Sequence, residues 1–389
     1  MANITLFSQI ISKLDRNSFS RLVSEKQTDK HQKGHNSWTH LVSMLFCQFA
    51  KSQSVRDISN GLRSATGNLN HLGIQKAPSK STISYQNKHR SWELFQEYYY
   101  HLYQHLGQQA KFRRVKFRIK SKIFLLDSTT ISLCLSLFDW AKYKTAKGAV
   151  KMHTLLDYDG HLPAYVNITN GKTADNKGAY DIPLIKRSVI VADAFYNDFS
   201  LLNVWDSNKV FFVIRHKDNL QFTKIKENDL PKNRHEHILI DEIIKLTNNT
   251  SKKKYPKKLR RVVVWDEKNK NEIELITNQM SWSCNTISEL YKSRWDIEIF
   301  FREIKQLLHI KSFIGTSENA VMIQIWTALI TILMLKSLKA LAKYNWHLSN
   351  LVAFIRLNLF VKIELQNWLD EPFKREESPP QDAIQGVLF

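Results

Sequence analysis

The sequence predicts an α/β protein whose N-terminal part is all-α. Three observations carry that expectation. Residues 1 to about 110 hold apolar residues at helical spacing and few strand signals. From about 122 the pattern changes to short β-branched runs. Helical periodicity then returns at Thr286 and lasts to about Trp368.

In the first part, Trp38 to Ala50 (WTHLVSMLFCQFA) has the apolar period of a buried helix. Ser54 to Leu62 (SVRDISNGL) starts with a Ser cap and has Asp57 at the capping-box position. After the turn-rich stretch ATGNLNHLGIQKAPSKS, Ser81 or Thr82 is placed to cap a further helix, STISYQNKHRSWELFQEYYYHLYQHL. Helix, turn and a basic helix is the outline of a helix-turn-helix DNA reader; a plain helical bundle has the same outline.

The strand region opens with Lys122 to Leu133 (KIFLLDSTTISL). Lys151 to Thr169 reads as a hairpin turning at Asp159-Gly160. Ser188 to Ala194 (SVIVADA) and Val210 to Arg215 (VFFVIR) are two more buried strands. The most apolar stretch, Ala320 to Leu335, is interrupted by Gln324 and ended by Lys336. It falls short of the roughly 20 residues that cross a bilayer, so a buried core helix is expected.

The chain has 389 residues, enough for two or three domains. It carries 57 Lys+Arg against 36 Asp+Glu, a formal charge of +21, which suits a polyanionic partner, nucleic acid first. Seven basic residues fall in Lys111 to Lys122 (KFRRVKFRIKSK) and seven more in Lys252 to Arg261 (KKKYPKKLRR). Cys47, Cys134 and Cys284 are far apart, which excludes a disulfide framework and a zinc knuckle and fits a reducing cytoplasm. The N-terminus lacks the pattern of a signal peptide, and no membrane partner is expected.

The chemistry is concentrated in Tyr291 to Lys305 (YKSRWDIEIFFREIK). On a continuous helix Tyr291, Arg294, Glu298 and Lys305 fall within a band of roughly 60°. Ile297, Phe300, Phe301, Ile304 and Leu308 form the apolar face beside it, while Asp296 and Glu303 project away toward solvent. One carboxylate is thereby selected among two cations and a phenol. The spacing alone equally suits an amphipathic helix with ordinary charge pairs.

Two aspartates add to that signal. Asp127 follows IFLL and Asp193 follows VIVA, each at the end of a strand apolar on both faces. A carboxylate there is costly unless it is paired or binds a cation. Two strand-end aspartates and a helical glutamate can hold two divalent ions around a phosphate. Oxygen donors favour Mg²⁺, with Mn²⁺ as a substitute, over zinc. Asp157, Asp159, Asp175 and Asp181 stand in turn-like contexts and read as solvated or capping. His153 reads as a satisfied strand residue.

With these residues in view, the chain resembles a DDE transposase of the IS-four family of bacterial insertion sequences. Its Tyr-x2-Arg-x3-Glu-x6-Lys motif is that family's signature, matched at Tyr291, Arg294, Glu298 and Lys305, with Trp295 after the Arg. The LLDSTTISL and VIVADAFYND segments resemble the regions around the first and second catalytic aspartates; Ala194-Phe195-Tyr196 departs from the Gly or Arg that often follows the second. The resemblance covers roughly residues 120–340.

It implies a ribonuclease H-like mixed sheet flanked by helices, with Asp127 on the first strand, Asp193 after the fourth and Glu298 on the following helix. The implied organisation is a helical DNA-binding domain over 1–110, catalytic core over 111–215 and 286–369, a β-rich insertion over 216–285 and a mobile tail over 370–389. The implied activity is two-metal cleavage at the element's terminal inverted repeats and joining of the 3′-hydroxyls to target DNA, by a homodimer on paired ends. Arg294, Lys305 and Tyr291 would hold phosphates, Arg215 and Lys217 would touch the DNA backbone, and Trp265 or Trp282 would stack on a flipped base if a hairpin forms. A nuclease on the same core that never joins strands, and an inert DNA-binding regulator, are the competing expectations.

Overall fold

The computed structural model describes residues 3–32, 34–65, 67–107, 117, 119–133, 142–144, 147–216, 220–308, 310 and 313–373. Most of the basic run at 111–122, Lys217, and the tail from 374 onward lie outside the described residues.

The N-terminal part is helical: α1 (Leu6–Ile11), α2 (Arg16–Glu25), α3 (Ser37–Ala50), α4 (Val55–Ser64), α5 (Lys80–His89) and α6 (Glu93–Gly107). The first five start where a short polar side chain takes an otherwise unpaired backbone N–H. Thr5, Asp15, Asn36, Ser54 and Ser79 accept from Ser8, Ser18, Thr39, Asp57 and Thr82. At α4 the cap is reciprocal, because the Asp57 carboxylate accepts from Gln53 N at 2.9 Å.

Two expectations need correction here. The cap before α5 is Ser79, not Ser81 or Thr82, and the run to Leu106 is two helices rather than one. The break falls at Arg90, which turns extended (ψ 131°) and is buried. Its guanidinium reaches back to Asp29 Oδ1 (3.2 Å), His35 O (3.1 Å) and Asn36 O (3.3 Å). A continuing helix would carry that side chain elsewhere, and these buried bonds outweigh the local helix preference.

One ten-stranded sheet forms the rest of the frame: β1 (Ile123–Leu133), β2 (Lys142–Lys144), β3 (Lys147–Asp157), β4 (Leu162–Asn170), β5 (Val189–Ala192), β6 (Phe211–Arg215), β7 (Phe222–Glu227), β8 (Ile238–Leu246), β9 (Leu259–Asp266) and β10 (Asn271–Thr277). Its order is β2-β3-β1-β5-β6-β10-β9-β8-β7, with β4 also pairing β3. β1, β5 and β6 run parallel, and β3 and β4 antiparallel beside them, the mixed arrangement of a ribonuclease H-like fold. Because β10 pairs antiparallel with β6, the later strands continue the same sheet.

Alternation along the strands sorts side chains to two faces. Leu125, Val191 and Val213 join one core with the C-terminal helices, and Leu126, Ala192 and Ile214 join a second core on the opposite face. That second core includes residues of α8 (Phe199–Ser207), α7 (Asp175–Ala179) packs on the same face, and the short α9 (Asn249–Lys254) lies against α8 and β8.

The C-terminal helices are α10 (Cys284–Ser293), α11 (Trp295–Leu307), α12 (Glu318–Leu341), α13 (Leu348–Leu357) and α14 (Leu365–Asp370). α12 is long and apolar enough to cross a membrane, yet its most apolar 18-residue window is 83% buried inside the protein, against α3, α5 and α6. Its polar residues are satisfied within that core: Gln324 Oε1 accepts from Ile314 N (3.0 Å), and Thr327 and Thr331 donate to carbonyls four residues back. Truncating a fully buried residue such as Leu329 to Ala would cost about 2–5 kcal/mol.

Candidate active site

The two aspartates are neighbours, but Asp127 does not end its strand as expected: pairing with β3 carries β1 on to Leu133, with Asp127 opposite Thr154, and only Asp193 follows a strand end. Leu126 on β1 pairs in parallel register with Ala192 on β5, so Asp127 and Asp193 follow at the same level on adjacent strands. Adjacent strands lie about 4.8 Å apart, and alternation turns both carboxylates toward the face that α11 covers. Asp127 Oδ1 accepts from Ser128 N (2.7 Å). Asp193 Oδ1 accepts from Phe195 N (2.9 Å), capping the 3₁₀ turn Ala194–Tyr196. By strand count Asp193 follows β5, since the short β2 comes before the hairpin.

α11 seats on the sheet through Ile297, Phe300, Phe301 and Ile304. The signature does not lie on one continuous helix as expected. α10 ends at Ser293 and α11 begins at Trp295; the tight turn at Arg294 closes with Arg294 N to Tyr291 O (3.0 Å) and Ile297 N to Arg294 O (3.1 Å). Arg294 nonetheless reaches the acids. Its Nη2 donates to Glu298 Oε1 at 2.7 Å and its Nη1 stands 3.6 Å from Asp127 Oδ2. Glu298 is thereby tied to Asp127 through a guanidinium.

A cleft of about 410 Å³ opens there, lined by Asp127, Thr129, Glu298, Arg302, Lys305 and neighbouring groups. Lys305 Nζ donates to Thr129 Oγ1 and to Thr130 O, pinning α11 to β1. Burial, the charge of Asp193 and, more weakly, that of Glu298 push the Asp127 carboxyl up to about 7, against the opposing pull of Ser128 N–H and Arg294. Asp127 is therefore a largely buried carboxyl whose nearest guanidinium stands 3.6 Å away rather than in a direct hydrogen bond. Among the described residues no three acids or histidines already converge on a single point, because Arg294 stands between Asp127 and Glu298. An oxygen-only donor set with this mutual repulsion fits a hard divalent cation.

The other expected contacts are distributed unevenly. The Tyr291 ring is half-buried with the Arg294 guanidinium 5.8 Å from its centre. Arg215, at the end of β6, lies near Tyr291 and Asp266; burial holds the Tyr291 phenol above its usual pKa despite that charge, and the hydrogen bond from the Asn269 side chain holds the Asp266 carboxyl below its own. Neither Trp265 nor Trp282 lines the cleft. Trp282 is half-buried against Phe211 (5.7 Å), and Trp265 sits half-buried near the end of β9. His153 is buried, with Nε2 3.1 Å from Thr169 Oγ1.

Several acids depart from expectation. Asp296 and Glu303 do not point into solvent: Asp296 pairs with His161 (3.0 Å) and Glu303 with Lys336 (3.8 Å), fastening α11 to the β3–β4 hairpin and to α12. Asp157 is buried and binds Lys122 Nζ (2.8 Å) and Tyr103 Oη (3.1 Å). Asp175 accepts from Ser128 Oγ and from Lys151 Nζ (3.1 Å), so it is neither solvated nor merely a cap. In the basic run 252–261, Arg260 and Arg261 are buried in ion pairs with Asp241, Glu242 and Glu274, and Lys257 pairs with Asp206. Arg302, one turn beyond Glu298 on the cleft side, is a cation that the four-residue spacing would have revealed.

Comparison with known proteins agrees with this geometry. Residues 118–334, more than half of the chain, match the family described as Transposase DDE domain, and residues 2–75 match a domain of unknown function (DUF4372). Among curated proteins, the probable transposase for insertion sequence element IS5377 of Geobacillus stearothermophilus is 29% identical over 244 residues, covering 62% of this chain and 64% of that protein. The putative transposase y4zB of Sinorhizobium fredii is 30% identical over 218 residues, or 56% and 61% of the two chains. The putative transposase for insertion sequence element IS4SA of Synechocystis is 24% identical over 296 residues, or 75% and 81%. This chain thus spans less than two thirds of the first two relatives' lengths. The parallel strands, the helix that follows them and the sequence match agree: the chain belongs to the transposase DDE domain family.

Proposed function

We propose that the chain is the transposase of a bacterial insertion sequence, which cleaves the terminal inverted repeats of its element and joins the freed 3′-hydroxyls to target DNA. The observation that supports this best is the approach of Asp193 and, through Arg294, Glu298 to Asp127, with Asp127 and Glu298 lining one cleft. Asp127, Asp193 and Glu298 would hold divalent ions, Mg²⁺ by preference and Mn²⁺ as substitute. Bound there, such ions supply the charge that activates water or a 3′-hydroxyl and steadies the leaving oxygen.

The remaining roles fall to the chain's own groups. A phosphate entering the cleft offers Arg294 a bidentate partner in exchange for Glu298, which frees the carboxylate. Lys305 presents a point charge at the β1 side of the cleft, and Arg302 another one turn away. Tyr291 offers its phenol beside Arg294, and Arg215 extends the cationic surface past β6. Lys217 is assigned to the backbone contacts by its sequence position alone. Trp265 is the better of the two rings for a flipped base, since Trp282 is committed to packing on Phe211.

In this reading the N-terminal helices recognise the repeats, the segment 216–285 is an insertion in the catalytic core, and a homodimer works on paired ends against the nucleoid in the cytoplasm. The decisive experiment supplies pre-cleaved ends, Mg²⁺ and a plasmid target, with uncut ends in parallel. Joined products are expected; a protein that cleaves the uncut ends yet joins none of the pre-cleaved ones would be reduced to a nuclease.

A further inference from the structure

Behind the aspartates, on the far face of the sheet, lies α7. Strand neighbours alternate, so Ser128 points to that face while Asp127 points to α11. Asp175, the first residue of α7, accepts from Ser128 Oγ and from Lys151 Nζ, and His153 Nδ1 is 4.0 Å away. The same helix also reaches the Asp193 turn. Asn176 Nδ2 donates to Asp198 Oδ2 (3.4 Å), and Tyr180 Oη, just past α7, does so at 3.5 Å. Asp198 caps α8 and follows directly on the turn that Asp193 caps. α7 lies tight on β3, since a Cβ on Gly178 would stand 2.7 Å from His153 Nδ1. Tyr196 is buried in the same place; burial and the charges of Asp127, Asp175 and Asp193 hold its phenol well above its usual pKa.

We infer that α7 is a bracket that holds β1 at Asp127 and the Asp193 turn at a fixed separation, with Asp175 as its positioning residue. The inference rests on the reading that the two aspartates bind divalent ions. Carboxylates that share an ion must keep their spacing within about half an ångström, and the β1–β5 pairing, which ends at Leu126 and Ala192, does not ensure that unaided. Ser128 contributes at both faces: its N–H orients the Asp127 carboxylate, and its hydroxyl is anchored to Asp175. Lys151 balances the charge of Asp175 and keeps that carboxylate on the far face.

The test is Mn²⁺ titration of the full chain by electron paramagnetic resonance, with melting temperature and affinity for a random-sequence duplex measured in parallel. Ser128→Ala changes no charge; the bracket predicts Mn²⁺ binding about tenfold weaker, with melting and duplex affinity close to the parent's, and rescue in Ser128→Thr. Lys151→Met separates position from simple electrostatics. Removal of a positive charge would by itself tighten Mn²⁺ binding, whereas loosening the bracket weakens it. Parent-like Mn²⁺ affinity in Ser128→Ala, or unchanged or tighter binding in Lys151→Met, overturns the bracket. Should Ser128→Ala fail to fold, the sign of the Lys151→Met change decides by itself. The underlying metal reading fails separately, if Asp127→Asn binds Mn²⁺ as well as the parent.

Discussion

Two regions of one sheet place arginine beside carboxylates, and they do so to opposite effect. At the β8–β9–β10 end, Arg260 forks onto Asp241 (2.8 and 2.6 Å), and Arg261 binds Glu242 (2.7 Å) and Glu274 (3.0 and 2.7 Å). Hydrogen bonds from Arg261 hold the Glu274 carboxyl below its ordinary pKa. At the β1–β5 end, one guanidinium serves both Asp127 and Glu298, and burial, with the charge of Asp193 added, drives Asp127 upward to about 7. The carboxylates hydrogen-bonded directly to Arg260 and Arg261 are structural. A carboxyl that burial and a neighbouring acid drive upward, with its nearest guanidinium 3.6 Å away, marks a candidate site of chemistry.

This contrast can be broken experimentally, beginning with its largest consequence. Asp127→Asn, Asp193→Asn and Glu298→Gln should each lower strand cleavage by about a thousandfold or more while the fold and duplex binding survive. Cleavage assays beside circular dichroism check this; a Glu298→Gln protein that cuts at the parental rate would remove the assignment. Asp241→Ala should do the reverse. It leaves Arg260 buried without its partner and should cost about 3–5 kcal/mol of stability, read from urea unfolding, while cleavage by the protein that remains folded stays near parental.

A smaller effect concerns pH. In protein freed of metal, Asp127 titrates near 7 against an ordinary 3.8, so the native state holds the extra proton between those values. This group's contribution to stability is complete below about pH 4 and is lost as pH rises through about 7. Asp127→Asn should flatten that decline in calorimetry from pH 5 to 8; parallel curves for parent and variant would contradict the value. The smallest expected change is in salt dependence. Lys252, Lys253 and Lys254 are exposed, whereas Arg260 and Arg261 are buried. Replacing the three lysines with Gln should reduce the log–log salt slope of duplex binding by about one for each phosphate left without its lysine. An unchanged slope would place the DNA surface elsewhere.

What the sequence disclosed was periodic and local. IFLLD and VIVAD announced two buried strands because an uninterrupted apolar run has few other uses, but only the second ends at its acid; β1 continues past Asp127 to Leu133 along β3. The apolar stretch around Trp326 identified the core helix for the same reason. Hidden from the sequence were features set by partners far along the chain. The helix breaks at Arg90, whose bonds go to residues 29, 35 and 36, and at Arg294, which turns toward Asp127. Asp296 and Glu303 seemed free because their partners, His161 and Lys336, lie on other elements. Lys252 to Arg261 looked like one cationic surface because nothing local shows that its last two residues enter a sheet between Asp241, Glu242 and Glu274. Asp175 reads as solvated or capping because its bond to Ser128 crosses from a helix to a strand 47 residues away.

The central claim is that Asp127, Asp193 and Glu298 share divalent cations. The most direct measurement is anomalous diffraction from crystals of the protein with a transposon-end duplex and Mn²⁺. Manganese peaks between Asp127 and Asp193, with Glu298 turned from Arg294 onto the metal and Arg294 on a phosphate, are the expected result. A peak elsewhere, or Glu298 still paired with Arg294 in a complex competent to cleave, would contradict it.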